Sequence, residues 1–195
     1  MNEPIYFVRH GQTAWNAERR LQGQAESDLT QTGRAQARSN GETLARLIQD
    51  PGRFAFLASP LRRTRETMEI IRQTMGLPKD GYLIEPRLIE VHFGDWQGFT
   101  FPELEAARAG STAEREADKW NFLPPGDSAE SYALLQKRIA GWLEGFAGPA
   151  VVVTHGGVIR ALFRLMNAMP EPEAAGMDVP QHRVLLFNGT RVAWV

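Results

Sequence analysis

The chain has 195 residues, 43% of them hydrophobic and 23% charged, and a formal net charge of −1 at pH 7. We expect one α/β domain over residues 1–195 with a full hydrophobic core. The balanced charge gives no basic surface for nucleic acid or an anionic membrane, and the absence of cysteine excludes disulfides and thiolate sites. No apolar run approaches the roughly 20 residues of a membrane span, and no secretory signal begins the chain, so we expect a cytoplasmic protein.

Short apolar segments alternate with helical patterns along the chain. Buried strands are predicted at 4–9, 53–59 and 149–157, extended structure at 82–90, and a terminal hairpin at 182–195, turning at Asn188-Gly189. Helices are predicted at 27–50, with Thr30 as N-cap, at 62–76, at 101–110, from Ser128 through Phe146, and at 158–169.

Residues 99–127 differ from the rest of the chain. After the short helix this segment is charged and ends in two prolines. We interpret it as an excursion from the core that covers a site as a lid.

The alternation of strands and helices predicts an α/β fold with a mostly parallel central sheet and helices on both faces. Ligands of such sheets bind outside the carboxyl ends of the strands. His10 and His155 each follow an apolar strand, and each is followed by glycine. Both histidines should therefore reach this crevice, with the glycines letting the backbone approach a ligand.

Two chemistries could use this pair of histidines. Zinc would need about three protein ligands, and no HExxH motif or carboxylate cluster accompanies the histidines, so we expect no metal. An anion site fits better, because Arg9, Arg62 and Arg63 lie at two strand ends and guanidinium groups grip phosphate oxygens.

Five motifs resemble the histidine phosphatase superfamily, the phosphoglycerate-mutase-like proteins. "VRHGQTAWN" resembles its Arg-His-Gly signature, and "VVTHGGVIRAL" its second-histidine motif. Three further segments match in the family's order: "LTQTGRAQA", "ASPLRRTRET" and "LIEVHFGDWQG". The resemblance implies a phosphoglycerate-mutase-like fold over the whole chain and an enzyme that needs no cofactor.

The resemblance also implies residue roles. His10 would be the nucleophile that becomes phosphohistidine, and Glu90 the proton donor to the leaving group, with a salt bridge to an active-site arginine as its structural alternative. Arg9, Arg63 and a protonated His155 would bind the phosphoryl oxygens, with Arg63 rather than Arg62 facing the site. Contacts on the substrate side would come from Asn16, Gln22, Gly23 and the Gly156 N–H.

Some positions depart from the family pattern. His92 and Gln97 stand where many relatives have acidic residues, and "PPGDSAES" leaves the alignment of Glu130 open by a residue or two. We expect these differences to surround the substrate entrance and to affect specificity, not the reaction.

The sequence favours a metal-independent phosphatase that hydrolyses phosphate monoesters of small metabolites. A phosphoglycerate mutase is the alternative within enzymes, although the compact chain favours hydrolysis. A catalytically inactive module that binds phosphorylated ligands is the alternative from another class. The physiological substrate stays open, and a homodimer is compatible with the apolar terminal strand.

Overall fold

The computed structural model describes residues 3–195, which contain one six-stranded sheet in the order β3-β2-β4-β1-β5-β6. Strands β1 to β4 pair in parallel, and β5 and β6 pair antiparallel at one end. The prediction of a mostly parallel sheet is confirmed. The strands are β1 Ile5–Arg9, β2 Ala55–Ala58, β3 Leu83–Ile84, β4 Ala150–Thr154, β5 Val184–Phe187 and β6 Val192–Trp194.

Helices cover both faces of the sheet. Because side chains alternate across a strand, Phe7 of β1 packs into one core cluster and Val8 into another. The α-helices are α1 Ala14–Ala17, α2 Gln31–Leu47, α3 Arg62–Thr74, α4 Phe101–Ala107, α5 Ser111–Ala117, α6 Tyr132–Glu144, α7 Gly156–Asn167 and α8 Glu171–Gly176. None of the helices in residues 3–195 is long and apolar enough to cross a membrane.

Local signals set several boundaries. Thr30 caps α2 as predicted, since its hydroxyl accepts a hydrogen bond from the Gly33 N–H at 3.0 Å. Gly76, just after α3, has φ of 75°, as expected for a glycine that ends a helix. The terminal hairpin is also confirmed, as β5 pairs with β6.

Three predictions about elements were wrong or incomplete. The helix expected from Ser128 begins at Tyr132, because Ser128 has φ of 61° and the Ser131 side chain caps the helix. The second half of the 99–127 segment forms α5, which its charged composition concealed. Helix α8 was not predicted, since its six residues include a proline and a glycine.

The register between β1 and β4 places the two histidines. Arg9 pairs with Thr154 at the ends of the two strands, and the His10 N–H donates to the Thr154 carbonyl at 2.9 Å. His10 and His155 therefore leave the sheet at the same level, at the carboxyl ends of adjacent parallel strands.

The glycine behind His10 packs against the backbone of α2, a role that the sequence did not predict. A Cβ on Gly11 would lie 2.8 Å from the Gly33 Cα, and a Cβ on Gly33 would lie 2.7 Å from the Gln12 backbone nitrogen. The turn after β1 and the first turn of α2 thus touch backbone to backbone, a distance that only glycine allows.

Gly33→Ala should therefore lower the free energy of unfolding by about 1–3 kcal/mol, because the new methyl group must push the two backbones apart. Urea denaturation measures this difference. Gly141→Ala is the matched control, since Gly141 also lies in a helix but a Cβ there meets no atom within 4 Å. That variant should gain stability, and equal responses of the two variants would contradict the close contact.

Candidate active site

The two histidines lie side by side: His10 lines a cleft, and the fully buried His155 is next to it without being a lining residue. Their ring centroids are 5.2 Å apart, and His10 and His155 are 3% and 0% exposed. The cleft opens outside the carboxyl ends of β1 and β4, where the sheet topology places it.

His10 is held in one tautomer. Its Nδ1 lies 2.8 Å from the Gly11 carbonyl oxygen, which can only accept, so Nδ1 carries the proton. The Arg63 Nε–H points at His10 Nε2 at 3.3 Å, which agrees with a lone pair on that nitrogen. Burial, followed by the charges of Arg63 and Arg9, lowers the pKa of His10 well below its ordinary value. A neutral imidazole whose Nε2 carries a lone pair is a nucleophile.

Arg63 is fixed by backbone carbonyls. Its guanidinium donates to the carbonyls of Gly23 at 2.6 Å and Ala25 at 2.7 Å, and the side chain is 1% exposed. Burial lowers the pKa of Arg63 to about 10, so it stays charged at neutral pH. Arg62, in contrast, is exposed and pairs with Glu26 and Asp28, so the helix turns only Arg63 toward the cleft.

Arg9 also lines the cleft. One guanidinium nitrogen donates to the Val179 carbonyl at 2.6 Å, while its buried Nε has no hydrogen-bond partner in residues 3–195. Burial and the nearby Arg160 lower the pKa of Arg9. A Cβ on Gly156 would lie 3.5 Å from this Nε, so this glycine leaves space beside the guanidinium.

His155 is anchored by a serine. Its Nε2 shares a 2.7 Å hydrogen bond with Ser59 Oγ, and its buried Nδ1 has no partner within the described chain. Burial, then Arg63, lowers the pKa of His155 well below its ordinary value. The expectation of a protonated His155 is therefore wrong for the free protein, because the sequence could not show how completely the ring is buried among cations.

Glu90 faces the cleft from the segment before α4. Both of its carboxylate oxygens accept from the Gly157 N–H at 3.1 Å, and Oε1 also accepts from the Val91 N–H at 3.0 Å. Among residues 3–195 no arginine is within ion-pair distance, so the alternative of a salt bridge is wrong. The N-terminus of α7 holds the carboxylate instead, a favourable place for negative charge.

Glu130 supports the backbone around Glu90. It forms an ion pair with Arg138 at 2.8 Å, and Arg138 in turn donates to the Ile89 carbonyl at 2.8 Å. Glu130 also accepts from the His92 N–H at 3.3 Å. This network fixes the short segment that presents the Glu90 carboxylate.

The predicted substrate-side residues all line the same cavity, which has a volume of about 240 Å³. They are Asn16, Gln22, Gly23 and Gly156. Asn16 is held by a capping box with Thr13 and by Gln181, and Gly156 is the first residue of α7, where backbone N–H groups lack helical partners.

Two residues that depart from the family pattern, His92 and Gln97, do not line the cavity in the described chain. Gln97 supports the loop behind it, where its Oε1 accepts from the Gln24 N–H at 2.7 Å. An effect of these two positions on specificity stays a prediction.

Several lining residues were missed by the sequence argument. Phe101, Arg115 and Lys119 come from the 99–127 segment, and Tyr132 and Arg160 come from α6 and α7. Arg160 could have been predicted from the sequence, because it follows His155 by five residues, within the second-histidine motif. The other four had no signal that could place them.

The described residues contain no group of three or more His, Asp or Glu side chains that could hold a metal ion. The cations of the cleft are its own arginines and lysine. Such groups can stabilise negative charge on a phosphoryl group through positioned hydrogen bonds.

The pattern of the histidine phosphatase superfamily (branch 1) matches residues 5–195. The chain belongs to this superfamily. The resemblance identified from the five motifs is thereby confirmed.

Curated relatives carry both phosphatase and mutase names. Glucosyl-3-phosphoglycerate phosphatase of Mycolicibacterium vanbaalenii is 36% identical over 177 residues, which cover 85% of this chain and 75% of the relative. Metal-independent phosphoserine phosphatase of Arabidopsis thaliana is 37% identical, covering 82% and 66%. A probable phosphoglycerate mutase GpmB of Photorhabdus laumondii is 43% identical, covering 85% and 75%.

Solved structures show the same fold. Mycobacterial glucosyl-3-phosphoglycerate phosphatase in complex with VO3 has a TM-score of 0.76 at 26% identity, with 99% of this chain and 97% of that chain covered. Bacillus stearothermophilus YhfR has a TM-score of 0.79 at 26% identity, with 98% and 95% covered.

Burial of His10 and His155 in neutral form predicts a pH-dependent stability. In the unfolded chain these histidines take up protons near pH 6.5, whereas in the folded protein their lowered pKa values keep them neutral. The free energy of unfolding therefore falls as the pH drops below that value. Each such histidine contributes a slope of about 1.4 kcal/mol per pH unit. Urea titrations between pH 7.5 and 5.5 measure it.

His10→Asn should lose less stability over this pH range than the wild type. The exposed His182 provides the matched control, since His182→Asn should keep the wild-type slope. Equal slopes in all three proteins would mean that the buried histidines accept protons in the fold.

Proposed function

We propose that this member of the superfamily is a metal-independent phosphatase that hydrolyses phosphate monoesters of small metabolites through phosphohistidine at His10. One observation carries the proposal: a tautomerically fixed, neutral histidine lines the same cavity as two guanidinium groups, Arg9 and Arg63, and a carboxyl group, Glu90. The phosphatase names among the relatives support it.

In the first step His10 Nε2 attacks phosphorus, and the bond from phosphorus to the ester oxygen breaks. Arg9 and Arg63 stabilise charge on the phosphoryl oxygens. Glu90, in its acid form, gives a proton to the departing alkoxide, which leaves as an alcohol.

His155 assists this step by hydrogen bonding to the phosphoryl group. With Ser59 donating its hydroxyl proton to Nε2, the neutral ring carries its own proton on Nδ1, the nitrogen without a protein partner. A phosphate dianion in the cleft would also raise the pKa of His155, because negative charge favours the imidazolium. The ring then donates a hydrogen bond to a phosphoryl oxygen in either state.

In the second step water attacks the phosphorylated His10. Glu90, now a carboxylate, takes a proton from this water, the bond from nitrogen to phosphorus breaks, and inorganic phosphate leaves. One carboxyl group thus acts as acid and then as base. Water is the only co-reactant.

A mutase would transfer the phosphoryl group from His10 back to the substrate, whereas a phosphatase transfers it to water. The mutase-named relative gives this alternative its support. The short lid, formed by two helices of seven residues each, favours access of water and therefore hydrolysis. A cytoplasmic location and a homodimer remain predictions from the sequence.

The direct test is an assay in EDTA. The purified protein should release p-nitrophenol from p-nitrophenyl phosphate between pH 5 and 7 at a rate that chelation does not lower. Formation of 2-phosphoglycerate from 3-phosphoglycerate with a bisphosphoglycerate primer would instead support the mutase. Binding of inorganic phosphate with no turnover of either substrate would support the inactive binding module.

The role of Glu90 predicts a dependence on the leaving group. Glu90→Gln should slow phosphorylation of His10 by about 10²–10⁴-fold with glycerol phosphate, whose alkoxide needs a proton. The loss should be much smaller with p-nitrophenyl phosphate, because p-nitrophenolate leaves unaided. Single-turnover kinetics isolate this step from the later attack of water.

Glu130→Gln is a suitable comparison, since that residue supports the segment without lining the cavity. It should affect both leaving groups alike. An equal loss for both esters in Glu90→Gln would show that Glu90 only positions its neighbours.

A further inference from the structure

The residues that join α8 to β5 support the active site at alternate positions. The Met177 carbonyl accepts from the Arg160 guanidinium at 3.2 and 3.0 Å. The Val179 carbonyl accepts from Arg9 at 2.6 Å. Two residues further on, Gln181 contributes its side chain instead of its carbonyl.

The Gln181 side chain joins two parts of the site through one amide nitrogen. Its Nε2 lies 3.2 Å from the His10 carbonyl oxygen and 3.0 Å from Asn16 Oδ1. An amide NH2 group has two hydrogens to donate, so this nitrogen can serve both acceptors. Gln181 thereby fixes the Asn16 side chain relative to the backbone of the nucleophile.

Backbone groups determine which way both amides point. Asn16 Oδ1 also lies 3.1 Å from the Thr13 backbone nitrogen, and because an N–H can only donate, the Asn16 atom at this position is oxygen. The His10 carbonyl can only accept, so the Gln181 atom that contacts it is nitrogen. The two assignments agree, since an oxygen of Asn16 then meets a nitrogen of Gln181.

This orientation leaves the Nδ2 of Asn16 for the cavity. Asn16 is a lining residue, and its Nδ2 has no hydrogen-bond partner among residues 3–195. Its two hydrogens can therefore be donated to the oxygens of a bound phosphate, whereas a rotated amide would turn its oxygen toward the negative charge. Within the described chain Gln181 itself does not line the cavity, so it can act only through its neighbours.

A buried asparagine holds Gln181 in turn. Asn40 lies within α2, is 1% exposed and donates from Nδ2 to the Gln181 carbonyl at 2.9 Å. Its Oδ1 is buried without a partner in the part of the chain that the structure describes. A half-satisfied buried amide destabilises a fold relative to an apolar side chain, and such exceptions to good packing are expected at functional sites.

We propose that Gln181 is a positioning residue, which keeps Asn16 oriented as a hydrogen-bond donor to the phosphoryl group at His10. The proposal rests on the phosphatase function and adds to it a residue that does not touch the substrate. Without Gln181, the Asn16 oxygen keeps only its hydrogen bond from Thr13, and the amide can rotate away from the phosphate.

The test is a double-mutant cycle in which titration calorimetry measures the affinity for inorganic phosphate. Gln181→Met keeps the length of the side chain but removes both donated hydrogens, and it should weaken binding about 5-fold or more. In an Asn16→Ala background the same substitution should change the affinity by less than about 2-fold, because the group on which Gln181 acts is gone. Gln181→Ala should show the same coupling, so the result does not depend on tolerance of methionine.

Gln36→Met is the matched control. Gln36 is also half-buried, and its Oε1 accepts from the Gln12 N–H at 2.8 Å, one residue after the glycine that follows His10. Among the described residues it forms no hydrogen bond with Asn16. This variant should therefore keep the wild-type affinity within about 2-fold.

An unchanged affinity in Gln181→Met, or an equal loss with and without Asn16, would overturn the positioning role. A loss in Gln36→Met as large as that in Gln181→Met would overturn it as well, because any loosening of the turn would then suffice. The predicted coupling in a protein that hydrolyses no phosphate ester would support the role of Gln181 and count against the phosphatase function alone.

Discussion

The parallel pairing of β1 with β4 is the constraint on which the site depends. Because Arg9 and Thr154 are in register, the two strands end level and the chain delivers His10 and His155 to one point. Helix α7 starts at the same level, so its first N–H groups hold Glu90 beside the histidines. A shift of this register by one residue would turn the side chains to the other face of the sheet and separate the nucleophile from its partners.

Hydrogen bonds to backbone carbonyls stabilise the guanidinium charges that cluster around the cleft. Arg63 donates to two carbonyls, and Arg9 and Arg160 donate to one each, so these guanidinium groups are hydrogen-bonded without being neutralised. A carboxylate partner would fill the same role but cancel the charge that a phosphate needs. Burial, and then the same positive field, lowers the pKa values of His10 and His155, which keeps the nucleophile in its reactive neutral form.

The sequence predicted what local patterns and motifs encode. Apolar strand periodicity, the Thr30 cap and the five motifs predicted the sheet, most helices and the residues at the cleft. It did not predict the charge state of His155 or the packing role of Gly11, since both depend on burial by distant segments. Lys119 and Arg115 lie in a charged segment without periodicity, and only the folded chain brings them to the cavity.

Trapping of the phosphoryl group tests the central claim most directly. The protein is mixed with a phosphoryl donor, quenched in alkali during turnover and digested, and the modified peptide is identified by mass spectrometry. The account predicts an acid-labile, base-stable phosphoryl group on His10, which is retained in His155→Ala and absent in His10→Ala. A phosphoryl group on another residue, or rapid turnover by His10→Ala, would contradict it.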